Sequence, residues 1–272
     1  MIDSEKLPAY FIPHGGGPWN VMDDAFGDPA GYGSLRNYLE DLGMEYKNNI
    51  KAILIISGHW EEAVPTIYFS VNPPLYYDYY GFPDFTYNLH WPTPGSPELA
   101  FQVEKLLTVA GFTTARETRR GFDHGTFVPL MISFPEAKIP VVQLSLVKGL
   151  DPSVHIAIGK ALEALRSEGV LIIGSGMSYH NMQGFMSGSS SAAGNSKQFN
   201  EWLTHTIEIS DPEKRNETLI NWKKAPKALD SHPRSEHLAP LFTVAGAAGT
   251  GKGALDYSGS LMGVSVTGYK FE

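Results

Sequence analysis

Residues 52–60 read Ala-Ile-Leu-Ile-Ile-Ser-Gly-His-Trp, so five apolar residues lead directly into a serine, a glycine and a histidine. A short, continuous apolar run predicts a strand that is buried on both faces, as in a parallel sheet covered by helices. Similar runs occupy residues 7–13, 140–146 and 170–173. Segments with helical spacing lie between them, and this alternation predicts an α/β fold with a mostly parallel or mixed central sheet flanked by helices.

Other elements follow from helical spacing and from capping and turn residues. Helices are predicted at residues 35–46, 96–111, 152–166, 196–209 and 212–222, and a further helix is predicted to begin near Glu236. The Ser/Gly-rich residues 187–194 are predicted to form a loop, and residues 260–266 a last strand. The Tyr- and Phe-rich residues 76–87 predict a surface loop that its rings anchor to the core, with contact to a planar substrate as the alternative.

The composition is that of a globular protein that acts on a small molecule. The chain has 272 residues, 42% of them hydrophobic, and no segment resembles a linker, so we expect one domain. The net charge of −8 argues against a nucleic-acid partner, which needs a basic surface. No apolar stretch approaches the roughly 20 residues of a membrane span, and residues 1–8 lack the apolar core of a signal peptide. We therefore expect a cytoplasmic protein without membrane contact.

The histidines indicate a metal site. Because the sequence contains no cysteine, a bound metal ion would need histidine, aspartate or glutamate ligands. His14, His59 and His180 each lie just beyond the carboxyl end of a predicted strand, where ligands bind in an open α/β sheet. Gly15 and Gly58 stand beside the first two and permit close approach of the backbone. A single histidine is more often a structural residue, but three at equivalent positions favour a shared site.

Seven motifs extend this interpretation, because they occur in order along most of the chain. They are residues 13–18 (Pro-His-Gly-Gly-Gly-Pro), 57–60 (Ser-Gly-His-Trp), 81–83 (Gly-Phe-Pro), 90–97 (His-Trp-Pro-Thr-Pro-Gly-Ser-Pro), 121–125 (Gly-Phe-Asp-His-Gly), 175–181 (Ser-Gly-Met-Ser-Tyr-His-Asn) and 236–241 (Glu-His-Leu-Ala-Pro-Leu). The set resembles the class III extradiol ring-cleaving dioxygenases of the 4,5-DOPA dioxygenase type, which are related to the beta subunit of protocatechuate 4,5-dioxygenase. The resemblance implies one catalytic domain over residues 1–272. It also implies non-haem Fe(II), or Zn(II) in some purified members, and insertion of both atoms of O₂ into a catechol that is DOPA or a related aromatic diol.

The same resemblance implies the metal ligands. His14 and His59 match two of them, and the third comes from the pair Glu236-His237. The wider superfamily has a carboxylate in this region, whereas the DOPA-type branch has a histidine. We therefore favour His237, with Glu236 as the alternative. The structural alternative for the pair is a helix N-terminus with an acidic first turn.

Further residues gain roles by resemblance. His124 is implied to bind substrate and transfer protons, which suits an imidazole because it exchanges protons near neutral pH. His180 is implied to lie next to the metal, either in acid-base steps or as a further ligand when zinc is bound. Asp123 is predicted in the substrate region, where it orients the ring or caps the next helix. His90 is predicted either to reach the pocket as a substrate-binding residue or to form structural hydrogen bonds.

Two other functional classes remain open. Zinc held by the same histidines could activate water for hydrolysis. The protein could instead bind a metal or small molecule without turnover, although the presence of both His124 and His180 argues against this. A serine hydrolase is disfavoured because Ser57 and Ser175 lie outside a G-x-S-x-G elbow. The expected partners are a small aromatic diol and O₂, and a homo-oligomer is compatible with the sequence.

Overall fold

The apolar runs of the sequence become adjacent strands of one sheet in the computed structural model, which describes residues 6–272. Within that range the strands are β1 (Ala9–Pro13), β2 (Ala52–Glu62), β3 (Thr66–Tyr68), β4 (Ala115–Glu117), β5 (Val141–Val147), β6 (Val170–Gly176), β7 (Gly253–Leu261) and β8 (Val264–Phe271). Their order across the sheet is β4-β3-β5-β2-β6-β1-β8-β7. The central strands β5, β2, β6 and β1 run parallel, whereas β8 is antiparallel to β1 and β7. The prediction of an α/β fold with a mixed sheet is confirmed.

Helices cover both faces of this sheet. In the described residues they are α1 (Pro29–Tyr46), α2 (Pro97–Val109), α3 (His124–Ser133), α4 (Pro152–Leu162), α5 (Met182–Ser187), α6 (Ser190–Ile207), α7 (Pro212–Ile220), α8 (Ala228–Ser231) and α9 (Ala239–Ala247). Most of them begin at an Asp, Asn or Ser whose side chain accepts a hydrogen bond from the first turn. None of the helices within residues 6–272 has the length and apolar character that crossing a membrane requires.

The position of strand β2 explains why apolar and polar residues do not alternate in its sequence. Ile53 and Ile55 pack on one face of the sheet with residues of α1 and α3. Leu54 and Ile56 point to the opposite face, where α2, α4, α6 and α9 supply the partners. Since both faces are covered, every position of the strand can be apolar.

The close packing of α4 against α9 depends on glycines at the point where the two helices cross. A Cβ at Gly246 of α9 would meet the backbone oxygen of Ile156, and a Cβ at Gly159 of α4 would meet the backbone oxygen of Thr243. The absence of side chains at these two positions therefore allows the helix backbones to touch.

Gly246→Ala should accordingly destabilise the protein by about 1–3 kcal/mol, because the added methyl group forces the two helices apart. Gly33→Ala is the matched control, since Gly33 also lies in a helix but a Cβ there meets no atom within 4 Å. Thermal unfolding should show a lower midpoint for Gly246→Ala only. Equal midpoints for the two variants would show that the crossing is not tightly packed.

Several sequence predictions about element bounds were wrong. The helix predicted at residues 35–46 begins earlier, at Pro29. Residues 187–194 are not a loop, because α6 begins at Ser190 after Ser189, whose side chain accepts from the amide of Ala192. The helix predicted to begin near Glu236 begins at Ala239. The single strand at residues 260–266 is instead the end of β7, a turn and the start of β8.

The placement of His59 also differs from the prediction. It does not follow the end of β2 but lies within that strand, which continues to Glu62 after a register shift between Ile56 and Glu61. Irregularities in a strand, like β-bulges, bend it and redirect its side chains, and they are frequent next to active sites.

Candidate metal centre

Four histidines meet at the carboxyl edge of the parallel strands. His14 directly follows β1, His59 lies in the last part of β2, and His180 follows β6. His237 lies shortly before α9, and its backbone oxygen accepts a hydrogen bond of 3.0 Å from the amide of Met177. The sheet therefore brings together residues that are far apart in the sequence, as ligand sites of open α/β sheets do.

Three of these rings converge through the same atom, Nε2. The Nε2 of His59 lies 3.1 Å from the Nε2 of His14 and 3.1 Å from the Nε2 of His237. The three residues form a group whose candidate ligand atoms all lie within 4.8 Å of one another. Two nitrogens bonded to one ion at about 2.1 Å are about 3.0–3.4 Å apart. The observed spacing suits three ligands of a single ion.

The protonation of His14 follows from its hydrogen bonds. Its Nδ1 lies 3.0 Å from Oγ of Ser175, and that hydroxyl donates to the backbone oxygen of Gly125. A serine hydroxyl has one proton, so Ser175 must accept a hydrogen bond from Nδ1–H of His14. The Nε2 of His14 therefore carries a lone pair.

Carboxylates favour the same tautomer in the other two rings. The Nδ1 of His237 is hydrogen-bonded to Oε1 of Glu236 at 3.2 Å, and the Nδ1 of His59 lies 3.5 Å from Oδ2 of Asp78, which is an ion-pair distance. An ionised carboxylate only accepts, so the bond to Glu236 places the proton of His237 on Nδ1, and the nearby charge of Asp78 favours the same position in His59. Three Nε2 lone pairs then face one space, an arrangement that a cation stabilises. Outer-shell acceptors on the distal nitrogen are a regular feature of metal-binding histidines.

Burial keeps these imidazoles neutral. It lowers the pKa of His14 well below the ordinary histidine value, and the neighbouring His59 lowers it further. Burial, followed by the proximity of His124, lowers the pKa of His59 to about 3. The pKa of His237 is also well below its usual range, through burial and the nearby His180. Neutral imidazole is the metal-binding form, so a metal ion need not displace protons here.

Glu236 supports the cluster from outside. Its Oε1 lies 3.1 Å from Nδ1 of His180 and 3.2 Å from Nδ1 of His237, and its Oε2 is 3.5 Å from Arg234. Burial raises the pKa of Glu236, but the hydrogen bond from His180 and nearby positive charge bring it below its ordinary value. The structure thus groups His237, rather than Glu236, with His14 and His59.

His124 is held by an aspartate that the sequence interpretation missed. The Oδ1 of Asp78 accepts from the backbone amide of His124 at 2.9 Å and lies 2.8 Å from its Nδ1. The imidazole of His124 lies against that of His59, with ring centroids 3.9 Å apart. Since Nδ1 faces the carboxylate, Nε2 of His124 is left as a proton acceptor. The sequence carried one signal, because Asp78 is a lone carboxylate between pairs of tyrosines, Tyr-Tyr-Asp-Tyr-Tyr.

Asp123 has a structural role, because its buried carboxylate accepts several hydrogen bonds. It is fully buried, caps α3, and accepts hydrogen bonds from Ser57 at 2.7 Å, Gln143 at 2.5 Å and Arg120 at 2.9 Å. Arg120 also donates a hydrogen bond to the backbone oxygen of His59 at 2.9 Å, and the hydroxyl of Ser57 accepts one from the backbone amide of His59 at 3.2 Å. Both carboxylate oxygens are therefore engaged within the protein. The contacts support the helix-capping prediction and a role in holding His59, and they do not bring Asp123 to a substrate.

The two remaining predicted residues lie in different places. His180 stacks on His237 with ring centroids 3.4 Å apart, so it borders the cluster. His90 is exposed, and none of the contacts within residues 6–272 joins it to the cluster. Substrate binding by His90 stays a prediction that the geometry does not favour.

Ser175→Ala should weaken metal binding by about 10–100-fold, because His14 loses the partner that fixes its tautomer and ring orientation. Ser178→Ala is the matched control, since Ser178 is another fully buried serine, but its hydroxyl accepts from the amide of Thr267. Competition with a metal chelator measures both affinities. Equal affinities for the two variants would refute the role of Ser175.

Comparison with known proteins shows which family the chain belongs to. Residues 9–271 match the family described as "Catalytic LigB subunit of aromatic ring-opening dioxygenase". The chain is 39% identical to the 4,5-DOPA dioxygenase extradiol of Beta vulgaris, over 88% of this chain and 86% of that protein. It is 33% identical to the 4,5-DOPA dioxygenase extradiol of Escherichia coli, over 91% of this chain and 87% of that protein. Dioxygenase tasH of Hapsidospora irregularis is 35% identical, over 96% of this chain and 84% of that protein.

A solved structure shares the fold as well. The crystal structure of an uncharacterized protein from Escherichia coli K12 superimposes with a TM-score of 0.78 at 29% identity, covering 98% of this chain and 100% of that one. The family match spans every strand of the sheet and the four histidines that meet at its edge. The resemblance found in the sequence is thereby confirmed, and the chain belongs to the LigB family of aromatic ring-opening dioxygenases.

Proposed function

We propose that the protein is a metal-dependent extradiol dioxygenase that opens the ring of a catechol with O₂. The observation that carries the proposal is the convergence of three Nε2 atoms, from His14, His59 and His237, beside an imidazole with a free proton-accepting nitrogen, His124. The name of the Beta vulgaris relative supports the substrate class, because DOPA is a catechol.

The three converging imidazoles would hold the metal. Fe(II) bound there would supply redox chemistry and open coordination positions. Zinc bound there would act only as a Lewis acid. The protein contributes fixed ring orientations, since Ser175, Asp78 and Glu236 each face the distal nitrogen of one ligand.

The Nε2 of His124 would accept a proton from a substrate hydroxyl and later return it to the ring-opened product. Asp78 holds its Nδ1–H at 2.8 Å, which keeps the accepting nitrogen turned away from the carboxylate. The same contact stabilises the imidazolium that forms when the proton arrives. A positioned acid-base group of this kind typically contributes about 10²–10⁴-fold to a rate.

His180 would act beside His237, on which it stacks. Its Nδ1 faces Glu236 at 3.1 Å, so its Nε2 is also free to accept a proton or, in a zinc form, to add a ligand. About 21% of its side chain is exposed, which leaves it open to a bound molecule. Two separate carboxylate-supported imidazoles beside the triad favour turnover over metal storage alone.

Anaerobic loading of the metal-free protein with Fe(II), followed by a catechol and then O₂, tests the proposal. We expect one O₂ consumed per catechol and a yellow ring-opened product, with no uptake when the catechol is omitted. The zinc-loaded protein is the control and should give no oxygen uptake. Hydrolysis of an ester or amide by the zinc form, without catechol-dependent uptake by the iron form, would contradict the proposal.

A further inference from the structure

A cavity of about 230 Å³ opens directly beside the metal centre. His180 forms part of its wall, and the turn that follows His14 forms another part through Gly15, Gly16 and Gly17. Because His180 stacks on His237 at 3.4 Å, the cavity begins where the group of converging histidines ends. A ring held at the metal centre would therefore lie next to this space.

The rest of the lining is almost entirely apolar. Its main side chains are Phe26, Phe82, Met177, Met182, Phe185 and Met186. Within the described chain, the lining includes no Lys, Arg, Asp or Glu, and its polar side chains are His180 and Tyr32. A charged substituent would lose its hydration here without gaining an opposite charge, and such an exchange is unfavourable.

The cavity is small, and one side of it can adapt. A cavity of about 150 Å³ holds a benzene molecule, so about 230 Å³ leaves room for part of a ring and a short chain. Its outer rim is the short helix α5, where Met182 and Met186 are 58% and 76% exposed. Unbranched methionine side chains can rearrange around substituents of different shape.

We infer that this cavity binds an uncharged, apolar substituent of the substrate, so that the preferred substrates are catechols with a short hydrocarbon side chain rather than the amino acid DOPA. The inference rests on the proposed function, because it assumes that the diol end of the substrate lies at the converging histidines. It assigns the specificity to the lining of the cavity and above all to the rim on α5.

The test compares 4-propylcatechol with DOPA, since both carry a three-carbon chain on the ring and differ in charge. Calorimetry on the zinc-loaded protein measures binding without turnover. We expect 4-propylcatechol to bind tens of times more tightly than catechol, because each buried methylene strengthens binding by about fourfold. DOPA should bind no more tightly than catechol. DOPA affinity equal to or above that of 4-propylcatechol would overturn the inference.

A variant pair tests the location. Met182→Arg should weaken 4-propylcatechol binding and strengthen binding of 3-(3,4-dihydroxyphenyl)propionate by about three- to tenfold, because the rim then offers a partner for the carboxylate. Met44→Arg is the matched control, since Met44 is 61% exposed on α1 and does not line this cavity. It should leave both affinities unchanged. Identical behaviour of the two variants would show that the substituent lies elsewhere.

Oxygen-uptake measurements distinguish a failure of the proposed function from a failure of the inference about the cavity. If the iron-loaded protein cleaves no catechol, the proposed function fails. If it cleaves catechol but binds 4-propylcatechol and DOPA equally well, only the inference about the cavity fails.

Discussion

Replacing His14 or His59 with alanine should remove the bound metal and, with it, ring cleavage. Each variant lacks one of the three Nε2 lone pairs that face the same space. Loss of an outer-shell partner alone costs about 10–100-fold in metal affinity, and loss of a direct ligand should cost more. After dialysis we expect less than about a tenth of the wild-type metal content and no detectable oxygen uptake. Metal analysis and oxygen-electrode measurements provide the two readouts.

His205→Ala is the control for these variants, because His205 lies exposed on α6 and its Nδ1 contacts the backbone oxygen of Glu201. Circular dichroism should show that all three variants remain folded, since His14 and His59 lie at the carboxyl edge of the sheet and His205 lies exposed on α6. Unchanged metal content in both His14→Ala and His59→Ala would show that the ligand assignment is wrong.

His124→Ala should behave differently, with metal retained and turnover lowered by about 10²–10⁴-fold, because the variant lacks the proton acceptor but keeps the three converging nitrogens. Comparison with His90→Ala also tests the sequence prediction for that residue. His90 is exposed and outside the cluster, so we expect its variant to keep wild-type turnover. Metal loss in His124→Ala, or an equal loss of turnover in His90→Ala, would contradict these assignments.

Much of the fold could be predicted because the central strands are buried on both faces. Residues 52–56 and 170–173 read as uninterrupted apolar runs, and both form the middle of the sheet. Strand β7 escaped prediction because most of its residues are at least partly exposed, so it shows no apolar run. The first residues of α6 lack a helical sequence signal because Ser and Gly dominate there. Tertiary contacts stabilise that helix instead, including the bond from the amide of Ser265 to Ser196.

The histidines of the site could be found from the sequence, whereas their supporting residues could not. His14 directly follows a strand, and a ligand at that place is expected of an open α/β sheet. Asp78 is 46 residues from His124 and lies in a segment without regular structure, so no spacing connects the two. The sequence does not predict that Ser175 orients His14, because its bond to His14 depends on the parallel pairing of β1 and β6. Such contacts arise from the register of the sheet, which the sequence pattern does not specify.

Anomalous X-ray scattering from crystals of the iron-loaded protein, recorded on both sides of the iron absorption edge, tests whether the three histidines hold the metal. We expect one iron peak between the Nε2 atoms of His14, His59 and His237, with Glu236 outside bonding distance. A peak bonded to Glu236, or a peak that two of the three histidines do not touch, would contradict this expectation.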